Sequence, residues 1–235
     1  FSFIKRAEKS YAISSFSVIP ADSRQALTRD TLSTYQWALK NQGQAILRET
    51  TDIKSYRVNT DPQYPSDIGL QVGQDLDLGM KRDTVVAVLD SGVDLKHPDL
   101  IKHLYHNQVE CEDNDIPFQP KVDHDGNGYV GDCIGWNFTT PDSVGNNTPD
   151  DDVGHGTHVA GIIGAEKNNQ LGVAGLSNRI RILPLKVTSK VDNSGYAQGL
   201  TLTDRIAKAI LYAIKMKVDV INLSLGWPKS QDAEY

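Results

Sequence analysis

Five consecutive apolar residues, Val85 to Leu89, stand between the polar Lys81-Arg82-Asp83-Thr84 and the turn-forming Asp90-Ser91-Gly92. A short run without alternation fits a strand buried on both faces, and its length and β-branched content favour strand over buried helix. RILPLKV, residues 181–187, predicts a second strand. Between them, Gly156 to Ala165 turns small and apolar and reads as a helix. After Thr203 as candidate N-cap, Ile206, Ala209, Ile210, Ala213 and Ile214 recur at spacings of three and four, which predicts an amphipathic helix. VDVINLSLG, Val218 to Gly226, predicts a final strand. Strand, helix and strand in this order imply right-handed crossovers in a parallel sheet. The expected fold class is therefore α/β, a three-layer, doubly wound, mainly parallel sheet.

The remaining pattern is weaker. Residues 1–30 are mixed and suggest an N-terminal extension or the remnant of a leader. Phe1 in place of methionine fits a processed or trimmed start, and a cloning boundary has the same appearance. Apolar and aromatic residues return in TLSTYQWALKNQGQAI, and IGLQVGQDLDLGM reads as a short helix or loop. Residues 101–152 are rich in Asp, Asn, Gly and Pro, an elaborated acidic loop whose one short apolar stretch is Cys133 to Phe138.

Composition narrows the function. The chain has 235 residues, 39% of them hydrophobic, enough for a substantial core. A net charge of −6 without a basic stripe argues against nucleic acid as partner. No run approaches the length of a membrane span. The two cysteines, Cys111 and Cys133, flank an acidic, glycine-rich loop; they are either two surface thiols or a disulfide contributing about 3 kcal/mol by loop closure. A disulfide implies an oxidising, extracytoplasmic setting.

Two residues stand where chemistry is expected. Asp90 follows a buried strand, at the edge where open α/β sheets form their ligand crevice, although an aspartate there also serves to accept backbone N–H groups in a turn. His155 opens the small-residue helix, and alone it reads equally well as a buried histidine bonded to backbone. His158 lies one turn further on. The pair fits a zinc site by spacing, but Gly156 and Thr157 replace the glutamate of an HExxH metalloprotease, and His158 is expected to be a packed structural residue.

Taken together, VAVLDSGVD…HPDL, HGTHVAGIIG and VINLSLG closely resemble the aspartate, histidine and cleft-strand signatures of the subtilisin-like serine proteases, and QWALKNQGQ resembles the start of the catalytic domain in some branches. The resemblance spans residues 31–235 in the right order and implies that they form the N-terminal portion of a subtilisin-like catalytic domain. It implies Asp90 as the carboxylate that orients His155, and His155 as general base for a serine nucleophile. Ser224, Leu225 and Gly226 would border the peptide-binding cleft, with Ser194 and Gly195 on the opposing edge. Ser224 is not the implied nucleophile, since the family serine follows a GTSMA-like sequence, which does not occur here.

That absence implies a serine and an oxyanion-hole asparagine carried by a C-terminal segment beyond Tyr235, the chain having been cut or being a fragment. The implied function is a secreted or otherwise extracytoplasmic serine endopeptidase acting on peptides or proteins. The alternative is a protease-like binding or regulatory protein without the nucleophile. In DHDGNGYVGD, Asp123, Asp125, Asn127, the Tyr129 carbonyl and Asp132 resemble part of a calcium loop, although Ile134 replaces the closing glutamate of an EF-hand; the other reading is an Asp-Asn-Gly turn. Asp99, a calcium ligand in many relatives, faces a shortened partner loop. Asp151 and Asp152 are either solvated charges near a helix N-terminus or acids contacting the substrate residue before the cleavage site.

Overall fold

A computed structural model describes residues 30–33, 36, 38–39, 45–47, 55–57, 67–68, 81–111, 122–140, 142, 144–190 and 202–225. The chain forms two compact units: residues 1–75 with 167–173, and residues 76–166 with 174–235.

In the first unit, β1 (Ala45–Leu47) pairs antiparallel with β2 (Ser55–Arg57). Buried Asp30 accepts the backbone N–H groups of Asn168 at 2.9 Å and Gln170 at 3.2 Å, and the Leu32 N–H bonds to the Gly172 carbonyl. The expected 1–30 extension, apart from Asp30, and the expected helix or loop at 68–80, apart from Ile68, lie outside the described residues.

The second unit is a four-stranded parallel sheet in the order β4 (Trp136–Asn137), β5 (Ile180–Lys186), β3 (Thr84–Asp90), β6 (Val220–Asn222). Strand alternation gives β3 and β5 two buried faces. Ala87, Leu89, Leu183 and Leu185 pack with Ile206, Ala209, Tyr212 and Ala213 of helix α2 (Leu202–Lys215). The other parity meets helix α1 (His155–Gly164), where a Cβ on Gly164 would touch the side chains of Ile180 and Ile182. The helices therefore lie on opposite faces, the three-layer, doubly wound arrangement expected. Burial on both sides explains why Val85 to Leu89 is unbroken by polar residues.

Three expectations need correction. Thr203 does not cap α2; it lies exposed inside the first turn, where Asp204 complements the helix dipole. The last strand is shorter than Val218 to Gly226. Lys217 ends the α2 region in a left-handed conformation, and the Asp219 carboxylate accepts the Val85 N–H, so parallel pairing begins only at Val220. His158 is exposed rather than packed, because it stands four residues before Ile162 on the solvent side of α1, whereas Gly156, Ala160 and Gly164 form the buried side.

Candidate active site

Asp90 ends β3 opposite Lys186 of β5 and is 1% exposed. Its Oδ1 accepts the Ser91 N–H at 2.7 Å and lies 2.7 Å from His155 Nδ1. A carboxylate oxygen only accepts, so the contact assigns the donor role to Nδ1 and leaves Nε2 as the acceptor nitrogen. The His155 side chain is 33% exposed, so the ring is held on one edge and open on the other. This places an oriented imidazole at the carboxyl end of a parallel sheet, where such folds bind ligands.

Close packing brings the two residues together. A Cβ on Gly156 would lie 2.0 Å from the Gly92 carbonyl oxygen and 3.1 Å from Asp90 Cβ, so only glycine lets the first turn of α1 approach β3 this closely. Gly92 itself has φ +98, and its Cβ would meet the Pro149 carbonyl at 2.5 Å.

The acidic loop forms a second centre in the same unit. Cys111 and Cys133 are joined by a disulfide with Cα atoms 4.9 Å apart. It lies between Glu110 and Asp132, both buried. Glu110 accepts N–H groups from His124 at 2.5 Å, Asp125 at 2.9 Å and Gly131 at 3.0 Å. Asp132 accepts the Tyr212 hydroxyl at 2.6 Å and the side-chain amides of Asn127 at 2.8 Å and Asn107 at 3.0 Å. Burial pushes the Asp132 carboxyl above the ordinary aspartate value against these hydrogen bonds, and pushes the Tyr212 phenol far up. Asp123 is held below its ordinary value, chiefly by the Gly128 N–H. Oxygens of Glu110, Asp123 and Asp125 lie within 4.8 Å of one another. Sequence reading missed Glu110 because it sits outside the DHDGNGYVGD stretch; its position beside Cys111 was the available signal. Tyr129 donates its N–H to Asn127 Oδ1, and its ring meets Trp136 and Tyr212 edge-on.

Of the residues expected at the cleft, Ser224 is exposed and accepts the Asn222 side-chain amide at 3.0 Å, and Leu225 is half-buried. Gly226, Ser194 and Gly195 lie outside the described residues.

Residues 81–234 match the family model described as "Subtilase family". The chain is 34% identical over 211 residues to the cell wall-associated protease of Bacillus subtilis (strain 168), covering 88% of this chain and 17% of that protein. The chain belongs to the subtilase family. It is also 35% identical over 146 residues to subtilisin-like protease 1 of Plasmodium berghei (strain Anka), covering 61% of this chain and 21% of the relative. With the intracellular serine protease of Paenibacillus polymyxa it shares 35% identity over 148 residues, covering 63% and 34%. The chain thus spans between about a sixth and a third of the length of these subtilases. The Asp90–His155 pair is a subtilase-like catalytic arrangement on the expected α/β scaffold, and among the described residues no helix is long and apolar enough to cross a membrane.

Proposed function

We propose that this chain supplies the aspartate and histidine of a serine endopeptidase whose serine and oxyanion-hole asparagine stand on a segment beyond Tyr235. The observation that carries the reading is the buried Asp90 carboxylate 2.7 Å from Nδ1 of a half-exposed His155. In that reaction His155 Nε2 takes the serine proton as the oxygen attacks the peptide carbonyl, then gives it to the leaving amine. An acyl-enzyme remains, and water, deprotonated by the same nitrogen, hydrolyses it. Asp90 keeps the tautomer fixed and stabilises the imidazolium. The peptide lies extended along Ser224, Leu225 and Gly226, with Ser194 and Gly195 opposite, so that main-chain pairing grips unrelated sequences. The relatives named as proteases support this reading, and the disulfide supports an extracytoplasmic location.

Calcium is the structural cofactor we propose for the acidic loop. The test of fit is the donor set: oxygens of Glu110, Asp123 and Asp125 lie within 4.8 Å of one another, hard ligands suited to calcium rather than to a softer metal, and Asn127, the Tyr129 carbonyl and Asp132 would complete the shell. When bound, the ion neutralises these carboxylates and holds the loop.

A fluorophosphonate probe applied to the natural full-length protein tests the catalytic reading, with intact-mass analysis locating the adduct. One covalent adduct on a serine beyond Tyr235, lost in His155→Ala and strongly slowed in Asp90→Asn, is expected. An intact protein that takes up no probe overturns the proposal and leaves a protease-like binding protein.

A further inference from the structure

The three successive acids before the histidine, Asp150, Asp151 and Asp152, reach back to the turn after β3, to Ser91 just beyond the end of β3 and to Lys186 at the end of β5. Asp150 Oδ1 accepts the Leu95 N–H at 3.2 Å. Asp151 accepts five donors: the Ser91 hydroxyl at 2.8 Å, the N–H groups of Val153, Gly154 and Thr157, and the Thr157 hydroxyl. Burial pushes the Asp151 carboxyl up, and the bonds from Thr157, Gly154 and Val153 more than reverse this, leaving it below the ordinary value. Asp152 pairs with Lys186 Nζ at 2.5 Å. An acid occupied by five internal donors has little capacity left to recognise a substrate cation.

Asp151 and Lys186 both meet Ser91. Its N–H donates to Asp90 Oδ1, its hydroxyl donates to Asp151 Oδ1, its Oγ accepts the Gly156 N–H at 2.9 Å, and its carbonyl accepts Lys186 Nζ at 2.7 Å. Ser91 therefore bonds to the residue after His155, to the loop before it and to the carboxylate that His155 must meet. It is 1% exposed, so none of these groups is exchanged with solvent. A second lacing runs alongside, with Val93 N–H bonded to the Pro149 carbonyl and Asp94 N–H to the Thr157 hydroxyl.

We infer that Ser91 is a positioning residue that fixes His155 against Asp90, and that Asp151 is the clamp that holds it rather than a group for reading substrate. The inference rests on the proposed protease reading. Ser91 touches no reacting atom; it sets the distance and angle at which the imidazole presents Nε2.

The test compares the natural full-length protein with Ser91→Ala, Asp151→Ala and the double variant, each quantified by active-site titration with a fluorophosphonate before turnover of a short peptide ester is measured. Both single variants are expected to lower kcat per titrated site by about 10- to 100-fold, the loss that a displacement on the order of 1 Å produces. KM should stay within about twofold, because the peptide edge is untouched. Since both remove one bridge, the double variant should fall no more than about threefold below the worse single. A purely structural role would reduce the titratable fraction and leave kcat per site unchanged, which would overturn the inference, as would effects that multiply. If Ser91→Ala fails to fold, Asp151→Ala carries the same per-site comparison. A parent that takes up no probe overturns the protease reading and the inference with it; a parent that reacts while both variants keep full kcat per site overturns the inference alone.

Discussion

Gly156→Ala is the sharpest probe of how the catalytic pair is assembled. The added Cβ would sit 2.0 Å from the Gly92 carbonyl oxygen, and ordinary contact begins at 3.4 Å, so helix and strand must part by about 1.4 Å. If that displacement fell entirely on the neighbouring pair, the 2.7 Å His155–Asp90 distance would open to about 4.1 Å, beyond hydrogen-bond range. Sharing the strain reduces the opening but costs overpacking energy of about 1–3 kcal/mol. Each kcal/mol lowers the midpoint of a domain this size by roughly 2–4 °C. The assay is thermal unfolding of the full-length protein beside its rate of fluorophosphonate labelling, for which a loss of about 10²-fold is expected. Gly154→Ala is the contrast. Its Cβ meets nothing within 4 Å and its φ is +96, so it costs conformational strain of about 1–2 kcal/mol without wedging the helix from the strand. The packing argument is refuted if Gly156→Ala labels within threefold of the parent, or if Gly154→Ala loses as much.

Tyr212→Phe removes the hydroxyl from buried Asp132 and should cost about 1.5–3 kcal/mol in urea unfolding at neutral pH, as expected for a hydrogen bond to a charged group; a loss under about 0.5 kcal/mol would mean the carboxylate is satisfied without it. Reducing the Cys111–Cys133 bridge should lower stability by about 3 kcal/mol, measured as the difference between unfolding midpoints with and without reductant. Asp219 is held down to about 2, first by the hydrogen bond from Arg82 and then by the Val85 N–H. A lowered carboxylate contributes stability that is complete above its ordinary value and is lost as pH falls toward about 2, so Arg82→Ala should cost stability at neutral pH, modestly because the pair is solvent-exposed, and its difference from the parent should shrink to nothing as pH falls toward about 2 in a series of urea-unfolding midpoints. Calcium at 100 times its dissociation constant should stabilise the protein by about 2.7 kcal/mol, and this gain should vanish in Asp125→Ala; an unchanged unfolding midpoint across a calcium titration would remove calcium from the acidic loop.

The parts of the molecule visible in the sequence are those whose signal is local. Val85 to Leu89 is a continuous apolar run because β3 is covered on both faces, and the spacing of Ile206, Ala209 and Ala213 is the stripe that α2 buries against it. Asp90 and His155 were legible because their neighbours, the small residues Gly92 and Gly156, are imposed by the same close approach that brings the pair together. Element ends were less legible. Thr203 has the chemistry of a cap, but the helix begins before it, and Val218 to Asp219 has the apolar and polar alternation of a strand while Asp219 is diverted to Arg82 and the Val85 N–H.

What stayed hidden depends on partners far apart in the chain. Asp151 in isolation is one acid in an acidic loop, and nothing near it distinguishes a solvated charge from a clamp. Its meaning comes from Ser91, 60 residues earlier, and Ser91 is brought there only because β3 and α1 are joined through a sheet that the intervening loop must leave and rejoin. Glu110 is similar: it enters the acidic centre because the disulfide beside it ties residue 111 to residue 133, next to Asp132. In both places a motif identifies the group that would react or bind, while the side chains that fix its geometry are hydroxyl and carboxylate groups satisfied by backbone donors. Their number and direction are set by the packed fold, so the positioning residues of this subtilase are found from the hydrogen-bond inventory of the folded chain rather than from residue spacing.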